Sequence, residues 1–400
     1  MHNKIAVGGL IISQKAKQLV NQVLENNRLS YGPLSRQFEQ EFATMHDSKY
    51  AVFCNSGTTA LQIAVQALKE REKWRDDDEV IVPAITFIAS SNVILQNNLK
   101  PVFVDVDLAT YNIDPVAVEN AITPRTRAIM PVHLMGLPCD MDPLWAIAKK
   151  HHLKIVEDSC ESMLAEYHGK KVGSLGDIGC FSTYVAHLLV TGVGGLATTS
   201  DENLALRMRS LMNHGRDFAY LNIDQDDVAK GNKLFDIVER RFRYTSVGHS
   251  ARCTELEAAL GCAQLPDLPD IVSSRQKNAL TLIKLLNDLQ EELQLPSIPE
   301  GRTHSFMLFP LLLKKESKAA FIRYLESHQI ETRYLMPLLT QPIYKRLFGN
   351  IEHQFPQAKK INRSGLYIGC HQYLNQQDLH YISDTIHAYF KKKKKTSTNL

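Results

Sequence analysis

Residues 50–70, YAVFCNSGTTALQIAVQALKE, combine three local signals in a short span. The apolar run 50–54 predicts a strand, the Asn-Ser-Gly-Thr segment predicts a turn, and the apolar residues after it recur at helical spacing. The same plan is repeated over 78–98, DEVIVPAITFIASSNVILQNN. A strand–turn–helix unit that recurs along a chain is typical of an α/β fold.

Further β-branched and apolar runs continue this alternation through the first 200 residues. The helix-like stretch MDPLWAIAKKHH separates the runs at 126–136 and 153–162. The full set of runs is 100–107, 126–136, 153–162, 178–184 and 194–200. Continuous apolar strands separated by helices are buried on both faces. We therefore predict an α/β domain whose mixed, mostly parallel sheet lies between helices.

The character of the sequence changes after about residue 245. Helical patterns dominate from there, with one strand-like run at 305–313 and a last helix at 375–390. This composition predicts a smaller α+β domain. We place a large domain at 1–245, a small C-terminal domain at 246–390 and a basic, disordered tail at 391–400. The other reading of Lys391–Lys395 is weak attraction to an anionic membrane surface.

Bulk composition excludes several classes of protein. The 400 residues are 44% hydrophobic and carry a net charge of +3, so charge gives no argument for nucleic-acid binding. We find no apolar stretch long enough to span a membrane and no secretory signal pattern. Seven scattered cysteines without a C-x-x-C pair indicate reduced thiols and no metal site. We expect a cytoplasmic protein.

Candidate site residues fall where strands end, because ligands of open α/β sheets bind beyond the carboxyl ends of the strands. Gly57 and Thr58 open a helix, where backbone N–H groups suit a phosphate, although a plain helix cap is the alternative. Asp158 ends the apolar run LKIVED, so it either caps a helix or pairs with a cationic ring nitrogen. Neighbouring Glu157 must point to the opposite face of the strand.

The order of these segments resembles the DegT-type sugar aminotransferases, which are fold-type I pyridoxal-phosphate enzymes. The resemblance covers nearly the whole chain and rests on many motifs in sequence, at 28–43, 55–64, 82–95, 101–107, 131–142, 155–162, 169–184, 192–199, 213–217, 251–265 and 330–344. It implies a homodimer that acts on a nucleotide-linked keto sugar, with an amino donor such as glutamate. The implied pathway is deoxysugar or cell-surface polysaccharide biosynthesis.

The resemblance also implies roles for individual residues. The pyridinium partner falls on Asp158, the polar residue three places later is Glu161, and Phe87 stacks on the cofactor ring. The contacts of the cofactor phosphate fall on Gly57, Thr58 and Ser182, and a contact to the phosphate of the neighbouring subunit falls on Ser250.

His187 occupies the place of the family's lysine, five residues after Ser182. Imidazole cannot make the lysine's covalent link to the cofactor, but its ordinary pKa near 6.5 suits proton transfer. A subset of the family, the 4-keto-6-deoxy-sugar 3-dehydratases, has histidine there and holds the cofactor non-covalently. The resemblance therefore implies pyridoxal or pyridoxamine phosphate, bound without a covalent bond, and removal of the 3-hydroxyl of the sugar.

Other positions depart from the family pattern. Val193 replaces an acid, Leu339 replaces a histidine, Leu188 stands where the dehydratases commonly have a second histidine, and Ser250 replaces an asparagine. Three alternatives thus stay open: a core role for His187, an aminotransferase with an unusual site, and a degenerate member that only binds cofactor or nucleotide sugar. A nicotinamide dehydrogenase is disfavoured, because GVGG at 192–195 precedes a strand and lacks the G-x-G-x-x-G spacing.

Overall fold

The computed structural model describes residues 4–218 and 229–397. Its strands are β1 Tyr50–Cys54, β2 Glu79–Pro83, β3 Lys100–Val104, β4 Thr126–Ile129, β5 Lys154–Asp158, β6 Glu166–Tyr167, β7 Lys170–Lys171, β8 Ile178–Ser182, β9 Gly195–Thr199, β10 Leu293–Gln294, β11 Phe309–Leu313, β12 Thr332–Tyr334 and β13 Gly365–Ile368.

The helices connect and cover these strands. They are α1 Gln14–Glu25, α2 Pro33–Met45, α3 Gly57–Glu72, α4 Ile88–Gln96, α5 Pro115–Asn120, α6 Met141–His151, α7 Glu202–Met212, α8 Asn232–Arg240, α9 Glu255–Gln264, α10 Leu268–Leu285, α11 Lys318–Ser327, α12 Pro342–Phe348, α13 Pro356–Ser364 and α14 Gln376–Ser397, with short 3₁₀ turns at Leu134–Gly136, Leu265–Asp267, Asn287–Leu289 and Glu352–Gln354.

The central feature is a seven-stranded sheet in the order β1-β9-β8-β5-β4-β2-β3. Strands β2 to β5 and β8 pair in parallel, and β9 runs antiparallel to its neighbours β1 and β8. The prediction of a mixed, mostly parallel sheet is confirmed. The parallel strands end at one edge of the sheet, where the strand-end residues of the sequence analysis meet.

Both faces of this sheet are buried, as apolar runs without polar alternation predict. Two consecutive residues of β1 point to opposite faces of the sheet. Val52 packs with α3, α4 and α7 on one face, and Phe53 packs with α2 and α6 on the other. Helix α3 begins directly after β1, because the Ser56 hydroxyl accepts a hydrogen bond from the N–H of Thr59 at 3.0 Å. This cap fixes the turn at which Gly57 and Thr58 lie.

A second sheet lies in the C-terminal part of the chain. Its order is β10-β11-β13-β12, all pairs are antiparallel, and α10, α11 and α14 pack on it around Phe309 and Phe321. This is the smaller α+β unit expected from the sequence; the boundary near 245 stays a prediction. Helix α14 continues through Lys391 to Ser397, so this part of the expected tail is helical, and residues 398–400 lie outside the described residues.

Within 4–218 and 229–397, no helix is long and apolar enough to cross a membrane. The same residues contain no group of three or more His, Cys, Asp or Glu side chains that could hold a metal ion. The seven cysteines are free thiols, five of them buried.

Candidate functional site

A cavity of about 480 Å³ lies at the carboxyl edge of the large sheet. Seven of the eight residues predicted from the sequence line it: Gly57, Thr58, Phe87, Asp158, Glu161, Ser182 and His187. Ser250 lies elsewhere, exposed, with its hydroxyl 3.1 Å from a guanidinium nitrogen of Arg252. The structure therefore brings most of the predicted site together in one chain.

One end of the cavity is the first turn of α3, packed tightly against β8. The N–H groups of Gly57 and Thr58 belong to this turn, and a helix offers no internal acceptors for its first donors. A Cβ atom at Gly57 would lie 2.7 Å from Cβ of Ser182 and 2.9 Å from Sγ of Cys160, so only glycine allows this approach. Backbone donors and the Ser182 hydroxyl together form a small anion cradle at a helix N-terminus.

Asp158 ends β5 and is 5% exposed. One carboxylate oxygen accepts the Ser90 hydroxyl at 2.7 Å, and the other accepts the N–H of Cys160 at 3.2 Å. Among the described residues, no lysine, arginine or histidine lies within 4.0 Å of it. A buried carboxylate without a cationic neighbour is costly, so this side of the cavity suits a cationic group on a ligand.

Glu157 faces the other side of the strand, as the alternation along β5 predicts. It is fully buried and accepts the N–H groups of Gly173, Leu175 and Gly176 at 2.6–2.7 Å, and it lies 3.0 Å from Nε2 of His133. These four donors satisfy the carboxylate. Glu157 is thus a structural residue that ties β5 to the loop before β8, and the two adjacent acids have separate roles.

Glu161 lies on the turn after β5 and shares the cavity with Asp158. Its Oε2 accepts the N–H of Met135 at 2.7 Å. Burial raises the pKa of the Glu161 carboxyl to about 7; the Met135 N–H opposes this shift and the charge of Asp158 adds to it. Tyr367 of β13 also lines the cavity, and burial followed by the charge of Glu161 raises its pKa.

His187 lies on a turn that follows β8, half-buried at the cavity wall. Its backbone N–H donates to the carbonyl of Tyr184 at 2.9 Å, and its Nδ1 lies 3.2 Å from the same carbonyl. Since a carbonyl only accepts, Nδ1 carries the hydrogen and Nε2 keeps a free lone pair. Burial lowers the pKa of the imidazole to about 4, so His187 is neutral at pH 7. The sequence alone pointed to the ordinary value, near 6.5.

The remaining cavity walls are mainly apolar. The Phe87 ring is 59% exposed at the start of α4, so one of its surfaces is available for stacking. Opposite segments contribute Val7, Met307, Leu308 and Met336. Sequence reasoning missed these residues and Tyr367, because none of them follows a strand of the large sheet; of these residues, only Met336 falls in a segment of the family resemblance, 330–344. In the described part of the chain, no lysine lines the cavity.

The other positions that depart from the family pattern lie partly in the cavity wall and partly in the core. Val193 lines the cavity and is 51% exposed. Leu188 and Leu339 are buried in the core of the large sheet and lie outside the cavity lining. Leu339, which replaces the family's histidine, is therefore a core residue in this chain.

The chain belongs to the DegT/DnrJ/EryC1/StrS aminotransferase family, whose sequence profile matches residues 11–387. It is 34% identical to the GDP-perosamine synthase of Caulobacter vibrioides, over 88% of this chain and 88% of that protein. It is 32% identical to the GDP-4-keto-6-deoxy-D-mannose 3-dehydratase of Yersinia pseudotuberculosis, over 90% of this chain and 92% of that protein.

A solved structure shares the fold over nearly the whole chain. The Escherichia coli GDP-4-keto-6-deoxy-D-mannose-3-dehydratase with bound hydrated pyridoxal phosphate superposes with a TM-score of 0.86 at 27% identity, and the match covers 96% of this chain and 100% of that chain. The predicted family and the pyridoxal-phosphate cofactor are confirmed. The relatives include both aminating and dehydrating enzymes, so similarity alone does not separate the two reactions.

The cavity fits pyridoxal phosphate by its own chemistry. The α3 cradle with Ser182 suits a phosphate, Asp158 suits the ring nitrogen, and Phe87 offers an aromatic surface. When bound, this cofactor supplies an electron-withdrawing ring that stabilises negative charge on a substrate carbon.

Asp158→Asn should weaken cofactor binding by about 1–3 kcal/mol, the scale of a lost charge-assisted hydrogen bond, and should abolish turnover. The fold should persist, since an amide has the same shape and still accepts from Ser90. Fluorescence titration with pyridoxal phosphate measures the effect, and Asp142→Asn, on an exposed acid of α6, is the control. Unchanged affinity in Asp158→Asn would show that this carboxylate does not contact the ring nitrogen.

Proposed function

We propose that this protein removes the 3-hydroxyl from a nucleotide-linked 4-keto-6-deoxy sugar, using non-covalently held pyridoxamine or pyridoxal phosphate. The reaction would serve deoxysugar or cell-surface polysaccharide biosynthesis, with glutamate as the amino donor. The observation that carries the proposal is His187 in a cavity whose described lining has no lysine. Without a lysine amine nearby, the cofactor has no covalent anchor in this site.

The residues that line the cavity have separate roles in binding the cofactor. The α3 turn and Ser182 would hold the phosphate, Phe87 would lie against the ring, and Asp158 would keep the ring nitrogen protonated, so that the cofactor would be bound beside His187. The Ser182 hydroxyl lies 3.5 Å from Nδ1 of His187, at the limit of a hydrogen bond, and would also help to position the imidazole.

His187 is the proton-transfer group. Its Nε2 lone pair would accept the proton released in the elimination, and the 3-hydroxyl would leave as water. Replacing the 3-hydroxyl by hydrogen is a two-electron reduction of the sugar; the amine form of the cofactor would supply these electrons, and glutamate would renew it. Because burial lowers the pKa of His187 to about 4, the base stays unprotonated from pH 8 down to about 5 and is lost only as the pH falls towards 4.

An aminotransferase is the second candidate, supported by the 34% identity to a GDP-perosamine synthase. Such an enzyme would deliver a 4-amino sugar. It would need another group to release the product from the cofactor, since His187 lacks the nucleophilic amine that a lysine provides.

Incubation with pyridoxamine phosphate and a nucleotide-linked 4-keto-6-deoxyhexose should yield a product that has lost its 3-oxygen, measured by mass spectrometry. His187→Asn should reduce this reaction at least about 100-fold, the usual contribution of a general base, because an amide accepts no proton at neutral pH. His380→Asn, on an exposed face of α14, is the matched control. A 4-amino product would favour the aminotransferase, and no product with several such sugars would favour a binding protein.

We also propose a homodimer in which the Ser250 loop reaches the phosphate site of the neighbouring subunit. The loop is exposed in the single chain, and Ser250 lies beside Arg252, whose guanidinium is 3.2 Å from Nε2 of His214. A polar, cationic loop outside its own cavity suits an anion on a partner.

Light scattering at micromolar concentration should give twice the mass of the 45.2 kDa chain. Ser250→Ala should preserve the dimer and weaken cofactor binding severalfold, because it removes one phosphate contact of about 1 kcal/mol. A monomer would contradict this arrangement and would leave the phosphate site with the contacts of one subunit only.

A further inference from the structure

The end of α14 carries a run of positive charge that the cofactor cavity does not use. Lys391–Lys395 are five consecutive lysines, and α14 continues through them to Ser397. A disordered tail was expected here from composition, whereas the structure makes these lysines part of the last turns of a 22-residue helix. The charge is therefore carried on a helical extension of the small unit, which we call the lysine end of α14.

The turn before the lysine end anchors the helix in the core of the small unit. Tyr389 and Phe390 are both buried, and their rings pack against Phe321 of α11 with centroid distances of 5.0 and 5.7 Å. Ile386, one turn earlier, is fully buried in the same cluster. These contacts hold α14 in place up to Phe390 and so set the direction in which the lysines leave the protein.

The helix emerges into solvent directly after this anchor. Lys391, Lys392 and Lys393 are all exposed. Successive residues of an α-helix are about 100° apart around its axis, so these three side chains cover an arc of about 200°. A helix that lay flat on the protein surface would bury part of such an arc. The lysine end therefore projects from the small unit.

Positive charge is concentrated on this projection. The chain has 46 basic and 43 acidic residues, so without the five lysines its net charge is −2. Acidic side chains lie at the base of the projection: Glu316 is 3.6 Å from Nζ of Lys393 and accepts the Tyr389 hydroxyl, and Asp288 is 3.0 Å from Nε2 of His387. The positive end thus stands beyond a body of slightly negative charge.

We propose that the lysine end of α14 is a docking site for the surface of a membrane that contains anionic phospholipids. A projecting helix end can contact a flat negative surface while the net-negative body stays away from it, and runs of four to eight basic residues bind such surfaces. The five residues are all lysine, so the contact is electrostatic and inserts no apolar side chain into the lipid. The proposal does not depend on the reaction in the cavity.

A nucleic acid is the other polyanion to consider, and it fits less well. Proteins bind nucleic acids along a groove or stripe of positive charge, which for single strands is combined with aromatic side chains that stack on the bases. Here the charge is gathered at one helix end, whose neighbouring aromatic rings, Tyr389 and Phe390, are buried in the core. The rest of the chain, with its net charge of −2, would repel an extended polyanion.

Co-sedimentation of the full chain with lipid vesicles tests the proposal. At about 50 mM salt the protein should sediment with vesicles of equal parts phosphatidylglycerol and phosphatidylcholine and stay in solution with phosphatidylcholine alone; about 500 mM salt should release it, because salt screens exposed charges. Lys391→Gln should weaken vesicle binding about fivefold, and Lys391–Lys395→Gln should abolish it. The matched control replaces five exposed lysines elsewhere by glutamine and should bind like the wild type: Lys15, Lys149, Lys345, Lys359 and Lys360.

Both five-residue variants should fold, since their lysines are exposed and the core contacts of α14 end at Phe390; circular dichroism checks this. A wild type that stays in solution with the anionic vesicles would overturn the proposal. Equal loss of binding in the control variant would also overturn it, because net charge alone would then explain the attraction. Fluorescence anisotropy with duplex DNA and single-stranded RNA at the same salt provides the last comparison, and tighter binding to either than to the vesicles would assign the lysine end to nucleic acid instead.

Discussion

The site is organised by two adjacent buried carboxylates at the end of β5. Burying an ionised acid is costly unless hydrogen-bond donors surround it, so each of the two carboxylates requires donors nearby. Glu157 accepts hydrogen bonds from three backbone N–H groups and from His133, and these bonds hold the loop before β8 and the turn after β4 in place. Asp158 points to the other face of the sheet. It accepts hydrogen bonds from the Ser90 hydroxyl and from the N–H of Cys160, and its carboxylate lines the cavity. Glu157 thus stabilises the fold, whereas Asp158 is placed where a ligand can bind it.

The sequence predicted the elements that depend on local pattern. Buried strands, the turn that opens a helix at Gly57 and the alternation of Glu157 and Asp158 all follow from neighbouring residues, and the structure has each of them. The order of motifs also indicated which strand ends would meet, because parallel strands end at one edge. His187 could be assigned to the same edge for this reason.

What the sequence did not predict depends on three-dimensional surroundings. The side chains from the small unit that close the cavity, Met307, Met336 and Tyr367, have no local signal, since their role follows from how two segments pack. The lowered pKa of His187 and the raised pKa of Glu161 come from burial, which a sequence does not quantify. Helix α14 likewise continues through Lys391, where charge composition alone indicated a tail.

These electrostatic features give the cavity its chemical character. It combines a neutral histidine and two buried acids, one of which has a raised pKa, and its described lining offers no amine. Such a site can orient a cofactor and move a proton, but it lacks the group that normally makes a covalent link to pyridoxal phosphate. The proposed dehydration follows from that combination, whereas the fold alone is shared with enzymes that aminate their sugars.

The most direct measurement of this account is borohydride reduction of the protein loaded with pyridoxal phosphate, followed by peptide mass spectrometry. A lysine bound to the cofactor would be trapped as a stable adduct, whereas a non-covalently held cofactor leaves every lysine unmodified. We expect bound cofactor before reduction and no lysine adduct afterwards. An adduct on any lysine, for example Lys170 or Lys171 of β7, would contradict the central role assigned to His187.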